Sequence, residues 1–266
     1  MKEKLDRELA RSGYSEPGFA ERYDRARPRP PSLLLEWLPR LVGVERPWLV
    51  VDLGSGTGLS TRPWADRAEV VVGVEPNEAM RRHAERLTQA ENVRYVAGSG
   101  ERTGLDDASA DVVTCSQSLQ WMEPDATFAE IGRILRPGGV FAAYQYVSLQ
   151  TLAWEPEAAW GELRSRFGRE RERRGLDAGS RWTVSLERLD AAGCFRATRE
   201  HVLHSVEEGD GERLVELALS EGSLTTLLAA GVSEHEVGLD RLREIAAALP
   251  RGPWWIGYRV WLGLRA

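Results

Sequence analysis

The sequence predicts an α/β fold: a doubly wound, mostly parallel sheet of seven strands, with a helical cap inserted after the fifth. Three observations predict it. Five short apolar runs alternate with amphipathic stretches between residues 48 and 147, which is how βαβ units are written in a chain. The alternation stops after residue 150, where a long helical stretch rich in Arg, Glu, Ala and Trp begins. Two further strand patterns, at 195–206 and 255–265, then complete the sheet.

The elements follow in order. FAERYDRARP (19–28) is a short helix that stops at Pro28, Pro30 and Pro31, because proline lacks an N–H and restricts the residue before it. A second helix places Leu33, Leu34, Trp37, Leu38 and Leu41 on one face. WLVVDL (48–53) is a short apolar run that reaches an acid, Asp52, just before the glycines, and reads as a buried strand. EVVVGVE (69–75), VRYVAG (93–98), DVVTCSQ (111–117) and GGVFAAYQYV (138–147) repeat the pattern. Helices are expected over 59–67, 77–89 and 125–135, with Asn77 as an N-cap. Right-handed crossovers put these helices on both faces of the sheet. Beyond the cap, residues 212–230 place Leu214, Leu217, Ala218, Leu224 and Leu228 on one helical face. WIGYRVWLGLR (255–265) alternates with period two, as a strand does. The organisation is an N-terminal helical lid (1–47), an α/β core (48–147), a helical acceptor-side insertion (148–194), and C-terminal strands with a helix (195–266).

Composition excludes several classes. A net charge of -6 lacks the basic footprint of a nucleic-acid partner. No apolar run approaches the roughly 18 residues that span a membrane. The charged start has no apolar core of a secretory signal. Cys115 and Cys194 are isolated, so neither a disulfide framework nor a cysteine metal site is expected, and a reducing cytoplasm is the simple location.

The strongest local signal is VVDLGSGTGLST (50–61), where Gly54, Gly56 and Gly58 follow a strand and are expected to open a helix. Glycine permits a sharp turn and lets a ligand approach bare backbone. Such a loop at the carboxyl end of a parallel strand is where doubly wound sheets bind ligands. The spacing is G-S-G-T-G, tighter than the G-x-G-x-x-G that suits a pyrophosphate. Glu75 ends the second strand, 17 residues after Gly58, and can accept hydrogen bonds from ribose hydroxyls. An NAD ribose would suit the same acid, so a nicotinamide-dependent oxidoreductase stands as an alternative that the loop spacing disfavours.

VVDLGSGTG, GVEPNEAM (73–80), GSGERTGLDDASADVVTCSQSLQWM (98–122) and ILRPGG (134–139) occur in the order found in class I S-adenosylmethionine-dependent methyltransferases, which the chain resembles over roughly residues 19–146. It looks most like the small-molecule branch, of ubiquinone/menaquinone type and trans-aconitate type. The resemblance implies a Rossmann-like fold, S-adenosylmethionine as cofactor, S-adenosylhomocysteine as product and a small-molecule acceptor. By the resemblance, Gly54, Ser55 and Gly56 line the methionine part of the cofactor, with Asp52 supporting the loop and the amino group. Glu75 holds the ribose, and Pro76 and Met80 flank the adenine. Ser99, Gly100 and Glu101 meet the adenine edge, and Cys115, Ser116 and Gln117 lie beneath the sulfonium. Tyr23 and Arg27 match a lid that in such enzymes closes over the methionine moiety; a helix that merely covers the sheet is the other reading of this segment. Relatives often carry His-Trp where this chain has Gln120-Trp121.

Methyl transfer from a sulfonium needs alignment and exclusion of water more than acid–base help. No catalytic base is assigned. His201 and His204 sit three apart in a strand and face opposite ways, while His83 and His235 read as structural or exposed. Trp154, Trp160, Phe167 and Trp182 read first as packing for the added helices and second as an acceptor wall, for which Tyr144 and Tyr146 at the end of the fifth strand are better placed. RSRFGRERERR (164–174) reads first as a solvated helix face and second as a dock for an anionic acceptor. A non-catalytic binding protein of the same fold is the alternative from another class.

Overall fold

The computed structural model describes residues 13–14, 16–150, 153–176 and 182–266, with the backbone alone over 147–150. Its elements are α1 (Phe19–Ala26), α2 (Ser32–Val42), β1 (Leu49–Leu53), β2 (Val70–Val74), α3 (Glu78–Leu87), β3 (Val93–Val96), β4 (Ala110–Ser116), α4 (Pro124–Ile134) and β5 (Leu135–Gln150). There follow α5 (Trp154–Arg173), α6 (Leu186–Ala191), β6 (Phe195–Gly209), α7 (Gly211–Leu219), α8 (Gly222–Ala229), α9 (Glu234–Val237), α10 (Leu239–Ala247) and β7 (Gly252–Arg265).

The seven strands form one sheet in the order β3-β2-β1-β4-β5-β7-β6. β1 pairs in parallel with β2 on one side and β4 on the other. The chain therefore winds outward in both directions from the β1/β4 boundary, the kind of reversal point at which open α/β sheets bind ligands. β6 and β7 run antiparallel: Ala266 N–H donates to Cys194 O at one end, and Gly209 lies against Trp254 at the other. All five residues of β1 are buried, which is why its sequence does not alternate between apolar and polar and why its one charged residue, Asp52, needs partners inside the protein.

Three expectations are corrected. Residues 59–67 form no α-helix, only a 3-10 turn at Arg62–Trp64. Thr61 and Arg62 N–H donate to Gly58 O, the hydroxyls of Ser60 and Thr61 are drawn to Asp52, and Pro63 has no N–H to give. The stripe on α2 is rotated: Leu34, Leu35 and Leu38 are buried, while Leu33 and Leu41 are exposed. The helix over 212–230 is broken into α7 and α8. A continuous helix would give Ser220 O to the Leu224 N–H. Here Arg27 Nη2 takes that oxygen at 2.7 Å, and Leu224 N–H turns to Glu221 O at 2.9 Å.

The chain divides into two compact units. The sheet unit comprises Arg29–Val147, Ser180–Ser205 and Tyr258–Ala266. Its core joins Val51 and Leu53 of β1, Val72 and Val74 of β2, Phe141 of β5 and Ile131 and Ile134 of α4, all fully buried. Each such side chain contributes about 1.5–3 kcal/mol. The helical unit comprises Met1–Pro28, Ser148–Gly179 and Val206–Gly257. Within it α7 packs on α1 and α10, and α5 packs on α8 and α10. A Cβ at Gly211 would fall 1.8 Å from Ala246 O, so only glycine allows that α7–α10 approach. Among the described residues, no helix is long and apolar enough to cross a membrane.

Candidate functional site

The site is built on the carboxyl ends of β1, β2 and β4, at the boundary where the winding reverses. β1 carries Asp52 to its penultimate position, fully buried. Ser60 Oγ and Thr61 Oγ1 donate to its Oδ2 at 2.6 and 2.7 Å, and Thr114 Oγ1 of β4 donates to Oδ1 at 2.9 Å. Burial pushes the Asp52 carboxyl up, and the three hydroxyls pull it back. This one side chain therefore ties the strand to the far end of its own loop and to the neighbouring strand.

The loop over 53–59 is held from below. Gly54 and Ser55 N–H both donate to Val74 O, at 2.8 and 3.2 Å. Gly54, Gly56 and Gly58 all have left-handed backbone, with φ of 68°, 55° and 80°. What a Cβ would meet separates their roles. At Gly54 it would lie 2.5 Å from Ser118 Cβ, and at Gly58 it would lie 2.3 Å from the Tyr95 hydroxyl oxygen. At Gly56 the nearest atom is the Met80 methyl, at 3.6 Å. The first and third glycines make room for the protein's own packing, and the middle one leaves its surface open.

Glu75, next after β2, is buried and reaches back to this loop. Its Oε2 accepts from Gly56 N–H at 2.8 Å and its Oε1 from Asn77 N–H at 2.7 Å. Burial raises its carboxyl to about 7, against the pull of those two N–H groups and of Arg81. Asn77 Oδ1 accepts from Met80 N–H at 3.1 Å, the N-cap expected for α3. Pro76 is half-buried and Met80 buried beside the loop.

The third wall follows β3 and β4. Ser99 and Arg102 exchange backbone hydrogen bonds, making a tight turn around Gly100 and Glu101. A Cβ at Gly100 would lie 2.2 Å from Met122 Sδ, so any larger residue would have to displace that side chain. Glu101 Oε1 accepts from the Glu123 N–H ahead of α4. Cys115 is buried within β4, its thiol pushed well up by burial. Gln117 has a φ of 56°, an uncommon left-handed backbone for a residue other than glycine, and such outliers gather at functional sites. Its N–H donates to Tyr144 O at 3.0 Å, and its carbonyl accepts from Gln120 Nε2 at 2.8 Å. Ser118 Oγ donates to Leu53 O at 2.6 Å, locking the β4 turn to the end of β1.

The comparisons with known proteins agree on one family. The model of the methyltransferase domain matches residues 51–143, the stretch that holds every wall just described. An uncharacterized methyltransferase of Mycobacterium tuberculosis is 34% identical over 228 residues, covering 86% of this chain and 84% of the relative. The chain belongs to the class I S-adenosylmethionine-dependent methyltransferases. The methyltransferase is also 32% identical to the malonyl-[acyl-carrier protein] O-methyltransferase of Herminiimonas arsenicoxydans, over 72% of this chain and 65% of that one. In fold it is similar to a putative type II methyltransferase from Anaeromyxobacter dehalogenans, with a TM-score of 0.65 at 23% identity, covering 90% of this chain and 97% of that one.

Other residues singled out in the sequence of the methyltransferase lie as follows. Tyr23 and Arg27 belong to the helical unit, where Arg27 stacks over the Tyr23 ring, donates to Ser220 Oγ at 2.8 Å and pairs with Glu221. Trp154 is exposed and Phe167 buried within the same unit. Trp182 packs on Phe128 in the sheet unit and donates to Met122 O, and the Tyr146 ring packs on Tyr258. His201 packs edge-on against Trp37, and the exposed His235 bonds Asp240. Sequence reasoning missed Ser60, Thr61 and Thr114, which satisfy Asp52. It also missed Tyr95 and Met122, which fill the space beside Gly58 and Gly100. Small hydroxyl residues next to a glycine loop were the available signal for the first group; nothing local announces the second.

Proposed function

We propose that the chain transfers the methyl group of S-adenosylmethionine to a small-molecule acceptor by in-line displacement, leaving S-adenosylhomocysteine. The observation that carries this reading is the buried Glu75 carboxyl joined to Gly56 N–H on a bare stretch of loop at the sheet's reversal point. A carboxylate has about four acceptor positions. Two are used, one on each oxygen, so both ribose hydroxyls can still be received. Burial holds the Asp52 and Glu75 carboxyls toward their neutral forms, so a ligand that donates hydrogen bonds or brings positive charge draws out their ionised forms. When bound, the sulfonium supplies an already activated methyl carbon and a neutral thioether leaving group.

The chain's own residues supply placement. Glu75 holds the ribose, Gly54, Ser55 and Gly56 offer backbone to the methionine part, and Asp52 keeps their loop shaped. The Ser55 hydroxyl lies close to Gly73 of β2, so Ser55 serves through its main chain. Pro76 and Met80 flank the adenine, and Ser99, Gly100 and Glu101 meet its edge. Cys115, Ser116 and Gln117 form the floor beneath the reacting carbon. These assignments put the effort of catalysis into orientation.

Calorimetric titration tests the reading. S-adenosylhomocysteine and S-adenosylmethionine are expected to bind and NAD is not; heat from NAD alone would overturn it. Glu75→Ala is expected to weaken adenosyl binding by about 1.5–3 kcal/mol, the loss of hydrogen bonds to a charged group. Unchanged affinity in the folded variant would remove Glu75 from the ribose.

A pH effect follows from the same carboxyl. Its folded value of about 7 lies above the ordinary 4.5, so folding takes up a proton between those limits. The stability this group contributes is fully present below pH 4.5 and is lost as pH rises through 7. Hydroxyl donors favour the ionised form, so ligand binding is expected to release a proton near neutrality. Affinity for S-adenosylhomocysteine should rise from pH 6 to 8, with binding heats that depend on the ionisation enthalpy of the buffer. Both effects should vanish in Glu75→Gln.

A further inference from the structure

The sheet ends in two edge strands of very different length. β3, at one end, has four residues. β6, at the other, runs for 15 residues with no proline and no glycine before its last position. Strands typically span about 5–6 residues, and a long edge offers a row of N–H and C=O groups that a second chain can pair with. Among the described residues β7 is the strand that pairs with β6, and no hydrogen bond from outside the sheet reaches the backbone of residues 196–206.

One face of β6 carries a pattern that is complementary to itself in reverse. Side chains alternate along a strand, so the even-numbered residues from Arg196 to Glu208 share a face, with Val202 at its midpoint. On this face Val202 is 61% exposed and Val206 57%, and Arg196, His204 and Glu208 are exposed as well. A second β6 laid antiparallel about a two-fold axis through Val202 would set Arg196 against Glu208 and Thr198 against Val206. The same axis sets Glu200, which also bonds Arg259 of β7, against His204, and Val202 against itself. Opposite charges directly across a strand pair stabilise it, and like charges destabilise it. Those charges select the register. An axis through residue 200 sets Glu200 against Glu200, and one through residue 204 sets Glu200 against Glu208. An axis one residue to either side of Val202 sets Glu200 against a valine.

We infer that β6 is a self-association edge, where two copies of this chain pair antiparallel about Val202 and continue one sheet through both. The occupant is a second copy because the charge pattern complements itself. Such a contact is isologous and closes on itself, the arrangement of most soluble homodimers. It stands apart from the adenosyl reading, and it is measured without the cofactor.

Sedimentation velocity of the full chain over a range of concentrations reads the association. The native chain is expected to reach twice the monomer mass as concentration rises. Val202→Lys puts two ammonium groups on the axis and should abolish the dimer. Leu87→Lys, at an exposed apolar position on α3 beside the opposite edge, should leave it intact. Arg196→Glu sets like charges against each other at two symmetry-related places and should weaken association about tenfold. Adding Glu208→Arg to that variant exchanges the charges of both pairs and should restore native association. A native chain that stays monomeric at every concentration would overturn the inference. So would a dimer that survives Val202→Lys, or a double variant that associates no better than Arg196→Glu. Should Val202→Lys fail to fold, the charge exchange between positions 196 and 208 decides alone.

Discussion

Gly54→Ala is expected to destabilise the fold before any ligand is considered, by about 2–5 kcal/mol. Left-handed backbone costs an ordinary residue about 1–2 kcal/mol, and the φ of 68° at this position offers no escape. Overpacking adds about 1–3 kcal/mol, because the new methyl would sit 2.5 Å from Ser118 Cβ and 3.1 Å from the Met122 methyl. Ser118 cannot step aside without breaking its 2.6 Å hydrogen bond to Leu53 O. For a chain of this size the melting temperature should fall by roughly 5–15 °C. Gly56→Ala is the informative companion. Its φ of 55° carries the strain, but the nearest atom would be 3.6 Å away. It should lose only about 1–2 kcal/mol of stability while losing more adenosyl affinity than any stability change explains. Denaturant unfolding and calorimetry with S-adenosylhomocysteine check the pair. The reverse order, with Gly56→Ala the less stable and Gly54→Ala the weaker binder, would contradict the division of roles among the loop glycines.

Asp52→Ala should cost about 3 kcal/mol or more, because Ser60, Thr61 and Thr114 would each be left as a buried hydroxyl without its acceptor. Asp52→Asn should cost far less. A hydroxyl can turn to accept from the new amide, so the network survives with one bond reversed. The asparagine variant then isolates charge from shape. S-adenosylmethionine carries a positive sulfur and S-adenosylhomocysteine does not, so Asp52→Asn should weaken the first more than the second. Equal loss for the two ligands would show that Asp52 acts through loop geometry alone. Equal destabilisation by Ala and Asn would show instead that the buried charge, rather than the hydroxyl network, holds the loop.

Much of the architecture was legible because local pattern and tertiary role coincide. An apolar run such as Leu49-Val50-Val51 is satisfied inside a sheet covered on both faces, and β1 is buried at every position. Asn77 caps α3 because its side chain and the backbone it serves are close neighbours in the chain. The reading failed where a distant group intervened. Residues 59–67 had helical spacing, yet Asp52 captured two of their hydroxyls and Pro63 withheld an N–H. Residues 212–230 had an amphipathic stripe, yet Arg27, nearly two hundred positions earlier, took the carbonyl that would have continued the helix.

By itself the sequence determined the order of the seven strands along the chain, the place of the glycine loop and the acid that follows the second strand. All of these are set by side-chain period and backbone freedom over a few residues. Only the tertiary structure decided which glycine faces open space and which makes room for Ser118 or Tyr95. It alone showed that Asp52 serves the loop through three hydroxyls. Those properties arise from atoms brought together across long stretches of chain, where burial raises the cost of every unpaired charge and donor.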